Sequence, residues 1–136
     1  NSKERIENFA FIYNKVLFIG INTNIDSEKE NDFDANLKWV QQNLKTYGHE
    51  VGVMVIYGHA SMTIKTSTFF YNLNDLLNRH NEIKTNGMKN NVALLYINES
   101  SNTWNVQENF FENPKFTIMS IEGGIWPPMR VTIDTE

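Results

Sequence analysis

Three short runs of this chain are apolar at almost every position: VLFIGI at 16–21, VGVMVIY at 51–57 and VALLYI at 92–97. Strands with one wet face alternate apolar and polar residues, whereas uninterrupted runs of this length suit strands covered on both faces, as in parallel sheets. Between the first and second runs, Phe33, Leu37, Val40, Leu44 and Tyr47 recur at spacings of four, three, four and three, with lysines and glutamines on the other side. That periodicity predicts a helix, with Asp32 placed to cap its start and Gly48 to stop it. Trp39, beside the stripe, is expected at the edge of the core. Phe69 to His80 predicts a second, shorter amphipathic helix through Phe70, Leu73, Leu76 and Leu77. Strand, helix, strand, helix, strand implies parallel neighbours joined by right-handed crossovers.

The flanks differ. Phe9 to Tyr13 and the run from Val16 read as a hairpin closed at Asn14-Lys15. NIDSEKEND at 24–32 reads as a solvated acidic loop, and HNEIKTNGMKNN at 80–91 as turns. FTIMSI at 116–121 and MRVTID at 129–134, around EGGIWPP, predict an antiparallel pair that extends or edges the sheet. The expected fold class is α/β: a mixed sheet in βαβαβ order with a C-terminal antiparallel hairpin, residues 1–136 forming one domain.

Charge and composition narrow the functions. A net charge of -4 and three scattered arginines, Arg5, Arg79 and Arg130, argue against a nucleic-acid partner. No apolar run approaches the roughly 18 residues of a membrane span. With no cysteine, disulfides, thiolate metal sites and cysteine nucleophiles are excluded. Asparagine supplies 20 of 136 residues, which reads as compositional bias that lowers helix propensity. A chain that starts at Asn1 with no leader is expected to be processed or part of something longer.

Three histidines are available for metal or acid–base work. His49 follows the first helix stop and suits an exposed turn. His80 falls at a helix end, where an imidazolium would complement the dipole. His59 is placed differently. It lies between Gly58 and the small Ala60 and Ser61 at the carboxyl end of an apolar strand, where open α/β sheets hold their ligands. No other His, Asp or Glu stands at metal-ligand spacing from it. There is no glycine-rich phosphate loop, and Ser61 lacks the glycines of a nucleophile elbow.

The order VLFIGINT, LKWVQQNL, VIYGHAS, YINESSNTW and IEGGIWPPMRVTID resembles, over essentially the whole chain, the second half of calcineurin-like metallophosphoesterases. The resemblance implies half of a four-layer fold in which two sheets pack face to face between helices. It also implies a site with two divalent ions, Mn, Fe or Zn, that activate a bridging water for attack on phosphorus. By that resemblance His59 matches the family's single-histidine ligand. Glu99, Ser100, Ser101 and Asn102 occupy the final G-H-x-H motif, so Asn102 stands at a metal-ligand position with an amide in place of an imidazole. The first-half ligand motifs D-x-H, G-D-x-x-D and G-N-H are absent. The implied chain is therefore a phosphate-ester hydrolase component that is impaired or incomplete alone, with another polypeptide supplying the amino half or a covering surface.

Asn98-Glu99-Ser100 is also a glycosylation sequon, which makes Asn98 a candidate acceptor and leans the chain toward the secretory route. Two other readings stand beside the hydrolase: a non-catalytic interaction domain that keeps the sheet without the chemistry, and a flavodoxin-like small-molecule binder permitted by the βαβαβ order.

Overall fold

Asn14 and Lys15 adopt φ of 50° and 63°. Positive φ at both positions gives a two-residue turn whose twist matches that of paired strands. It joins β1 (Phe9–Tyr13) to β2 (Val16–Gly20) as an antiparallel hairpin, in agreement with the sequence. The structure, a computed structural model, describes residues 8–22, 30–61, 63, 66–85, 87–100, 104–122 and 130–134. Helix α1 (Glu30–Tyr47) leads to β3 (Val53–Tyr57), and α2 (Ser67–Glu82) is followed by a short ribbon of β4 (Lys84–Thr85) and β5 (Met88–Lys89). β6 (Ala93–Ser100), β7 (Asn105–Gln107) and β8 (Phe116–Glu122) complete the set.

The main sheet has six strands in the order β1-β2-β3-β6-β8-β7. β2, β3, β6 and β8 are mutually parallel, and β1 and β7 close the two edges antiparallel. This is the expected α/β fold with a mixed sheet. Because the parallel strands lie in chain order, the crossovers step in one direction and both helices cover the same side of the sheet. There Leu17, Ile19, Met54, Ile56, Leu94 and Tyr96 pack with Val40, Leu44, Phe70, Leu73 and Leu77 in one buried cluster. The Phe70 and Tyr96 rings meet edge-on with centroids 4.8 Å apart. A flavodoxin-like binder needs a reversal of strand order and helices on both faces. Neither is present among the described residues.

The other face carries no helix among the described residues. Val16, Val55 and Ile97 are buried there, while Phe18, Leu95, Met119 and Ile121 are only partly so. Residues 130–134 lie against this face through Ile133. They form no strand, and the antiparallel partner of β8 is β7, not MRVTID. Three-residue β7 is exposed throughout and too short for any period to mark it. Asp32 also departs from expectation: α1 begins at Glu30, so Asp32 lies inside the helix. Gly48 follows α1 in a tight turn, and its missing side chain makes room for His80, whose Cε1 would stand 2.5 Å from an added Cβ. Trp39 packs at the core edge, as its position predicts.

Asparagine is not mere bias in this fold. Asn36, fully buried on α1, donates to the Asn22 carbonyl at 2.7 Å and accepts from Asn8 Nδ2 at 3.0 Å, while the Asn22 N–H donates to Asn8 Oδ1 at 2.9 Å. Asn113 Nδ2 donates to Asn74 and Asn78 of α2 at 2.8 and 3.0 Å. Asn81 both donates to the Val92 carbonyl at 2.9 Å and accepts from its N–H at 2.8 Å, pinning α2 to the start of β6. An amide carries donor and acceptor together, so one side chain satisfies both groups of a neighbouring backbone that no ladder reaches.

Candidate functional site at the carboxyl ends of the parallel strands

Three parallel strands end together. The Ile21 N–H donates to the Tyr57 carbonyl at 2.9 Å, and the Gly58 N–H donates to the Ile97 carbonyl at 3.1 Å, so pairing continues one residue past β2 and β3. The chain then turns, and His59 projects from the end of β3 with its side chain exposed. The turn is held from below. Tyr96 Oη donates to the Ala60 carbonyl at 2.8 Å, and Thr66 Oγ1 donates to the Ser61 carbonyl at 2.6 Å. Tyr96, Ala60 and Thr66 are all buried, so the loop carrying His59 leaves the sheet on a fixed base.

A cleft of about 430 Å³ opens at these strand ends. Asn22, His59, Asn98 and Glu99 supply its polar groups, and Phe9, Tyr57, Ile97 and Ile121 much of its apolar wall. Phe9, Gly20, Tyr57 and Ile97 form one cross-strand row on the face that the helices leave open, so the cleft is continuous with that face. No Lys or Arg is among the described residues that line it.

Of the site residues expected from sequence, His59 reaches this cleft and Asn102 lies outside the described residues. Asn98 reaches it from beneath. Its side chain is 2 % exposed, with Nδ2 donating to Ser61 Oγ at 2.9 Å and Oδ1 accepting from Ser120 Oγ at 2.8 Å. The amide closes a buried triad that ties the β3 turn to β6 and β8. Among the described residues no group of three or more His, Asp or Glu converges as a metal centre would require.

The other histidines sit elsewhere. His49 is exposed, 3.9 Å from Glu50. His80 borders a second pocket between the ends of α1 and α2, together with Lys45, His49 and Arg79. Burial pushes its imidazole pKa below the usual value, the Gly48 carbonyl opposes that shift, and His49 adds to it. Arg79 is paired to Asp75 at 2.9 Å. Basic side chains at the carboxyl ends of two helices complement the helix dipoles, and that accounts for their placement.

Sequence reasoning found His59 by its place after an apolar strand. It missed Phe9 and Tyr57, which as strand aromatics carry no mark of a cleft, and only register shows that they share a row. No protein family, curated protein or solved structure matches the chain.

Proposed function

We propose that this chain is one part of a metal-dependent phosphate-ester hydrolase: His59 is a metal ligand, and the remaining ligands and the cover of the open sheet face come from another polypeptide segment. The observation that carries this reading is the position of His59, exposed at the carboxyl end of an internal parallel strand in a cleft that runs onto the apolar face bearing no helix among the described residues. A neutral imidazole there can bind a divalent ion such as Mn, Fe or Zn, and Asn22 lines the same cleft. One histidine does not hold a catalytic ion, so the chain alone is catalytically incomplete.

The same geometry explains why cover and ligands go together. A body laid on Phe18, Leu95 and Met119 borders the cleft at Tyr57 and Ile97, and can add side chains above His59. In such a site the metal would polarise the phosphoryl oxygens and lower the pKa of a bound water. His59 would hold its place through the bracing of its turn by Tyr96 and Thr66. The resemblance to the second half of metallophosphoesterases supports the same reading.

The test is elemental analysis for Mn, Fe and Zn on the protein isolated in its native assembly, with hydrolysis of an aryl phosphate before and after His59→Ala. Near-stoichiometric metal and loss of hydrolysis in the variant are expected. A native assembly without metal or hydrolysis supports the non-catalytic interaction domain instead.

A further inference from the structure

The wall of the cleft nearest β1 is built around one ring. Phe9 lies across Gly20, and a Cβ at that glycine would collide with three ring carbons, so the absence of a side chain there lets the ring rest on the β2 backbone. The ring is also stacked in series: Phe9 and Phe11 have centroids 5.9 Å apart at 20°, and Phe11 and Phe18 4.9 Å apart at 16°. The backbone beneath it is fixed at two points. Asn8 is bound to Asn36 and Asn22, and Trp39 Nε1 donates to the Phe9 carbonyl at 3.4 Å. Despite this anchoring, Phe9 is 45 % exposed and Tyr57 is 41 % exposed.

Ile97 continues the row of Phe9 and Tyr57, Ile21 and Ile121 also line the cleft, and among the described residues the lining offers one charge, the carboxylate of Glu99. The Phe9 side of the cleft is apolar, which suits a neutral apolar group. A rigid aromatic ring with an open face favours a flat partner.

From this we infer that the Phe9 side of the cleft binds the neutral, planar apolar group of an ester substrate, its leaving alcohol, with the phosphoryl group on the His59 side of the same cleft. This rests on the hydrolase reading for the word substrate, but the binding itself needs no metal.

The experiment is a methyl and aromatic NMR titration of the metal-free chain with 1-naphthol and, separately, with inorganic phosphate. Naphthol is expected to shift the methyls of Ile21, Ile97 and Ile121 and the Phe9 ring saturably, and phosphate to leave them unmoved. Phe9→Ala is expected to weaken naphthol binding about tenfold. Should Phe9→Ala fail to fold, Tyr57→Ser, at an exposed position, is read in its place and is also expected to weaken binding. Equal shifts at Val55, Leu95 and Met119 on the open face would overturn the inference. So would inorganic phosphate shifting the Phe9 ring, or naphthol binding that a folded variant leaves unchanged. Loss of the hydrolase reading through a metal-free native assembly would not alter these shifts, so the two failures are distinguishable.

Discussion

The hydroxyl of Tyr96 donates a 2.8 Å hydrogen bond to the carbonyl of Ala60, joining the middle of β6 to the turn that presents His59. Both residues are fully buried. Tyr96→Phe keeps the ring against Phe70 and deletes this bond. It is expected to cost about 1 kcal/mol of stability, measured as a lower urea midpoint with an unchanged m-value. Cleft resonances around His59 should broaden or shift while those of α1 stay in place.

Asn36 and Asn91 give a paired test of whether the asparagines act as structural ties. Asn36 is buried and bridges Asn8 and Asn22, whereas Asn91 is exposed. Asn36→Ala should destabilise by about 1–3 kcal/mol because it takes hydrogen-bond partners from buried groups. Asn91→Ala should stay within about 0.5 kcal/mol. Chemical denaturation of the two variants checks both.

His80 carries a pH dependence whose sign follows from its environment. Its folded pKa lies below the unfolded value of 6.5, so the unfolded chain takes up more protons in the window between the two. Stability is complete above 6.5 and falls as pH drops from there toward the folded pKa. His49, Lys45 and Arg79 border the same pocket and none of them carries a negative charge to offset protonation of His80, although Asp75 pairs with Arg79. The urea midpoint should fall between pH 7 and pH 5.5 in the wild type, and less steeply in His80→Gln.

Gly48→Ala probes the same packing by sterics. Its Cβ would stand 2.5 Å from His80 Cε1 and 2.7 Å from Nε2, with Leu44 on the other side at 2.9 Å. Relief requires the His80 ring and the Leu44 side chain to shift toward the pocket that both line. The expected result is a loss of about 1–3 kcal/mol, the usual cost of overpacking, and Gly48→Ala with His80→Ala should recover part of it.

Much of the architecture was legible because it rests on short-range patterns. The Asn14-Lys15 turn, the stripe from Phe33 to Leu44 and the apolar runs of β2, β3 and β6 each carry a period or a turn preference that survives in the fold. What escaped depends on long-range pairing. MRVTID has the alternation of a strand, yet β7, three exposed residues with no apolar pattern, took the place beside β8. The two-sided burial read from VLFIGI and VALLYI holds, every residue of both runs being buried or half-buried, but apolar runs show that a face avoids water, not which body covers it. At the site, His59 was visible from its neighbours Gly58 and Ala60. The sequon at Asn98 pointed outward while the fold turned that side chain onto Ser61 and Ser120. A tripeptide carries no information about which face of a strand its first residue takes.

The central claim, that His59 is the metal ligand this chain supplies, is tested most directly by paramagnetic broadening with Mn²⁺ on the labelled chain in its native assembly. The account predicts that the His59 imidazole broadens at lower Mn²⁺ than those of His49 and His80, together with the Asn22 and Asn98 side-chain amides, and that His59→Ala abolishes the broadening of those amides. Broadening that begins at His49, or amides in the cleft that still broaden in His59→Ala, would contradict it.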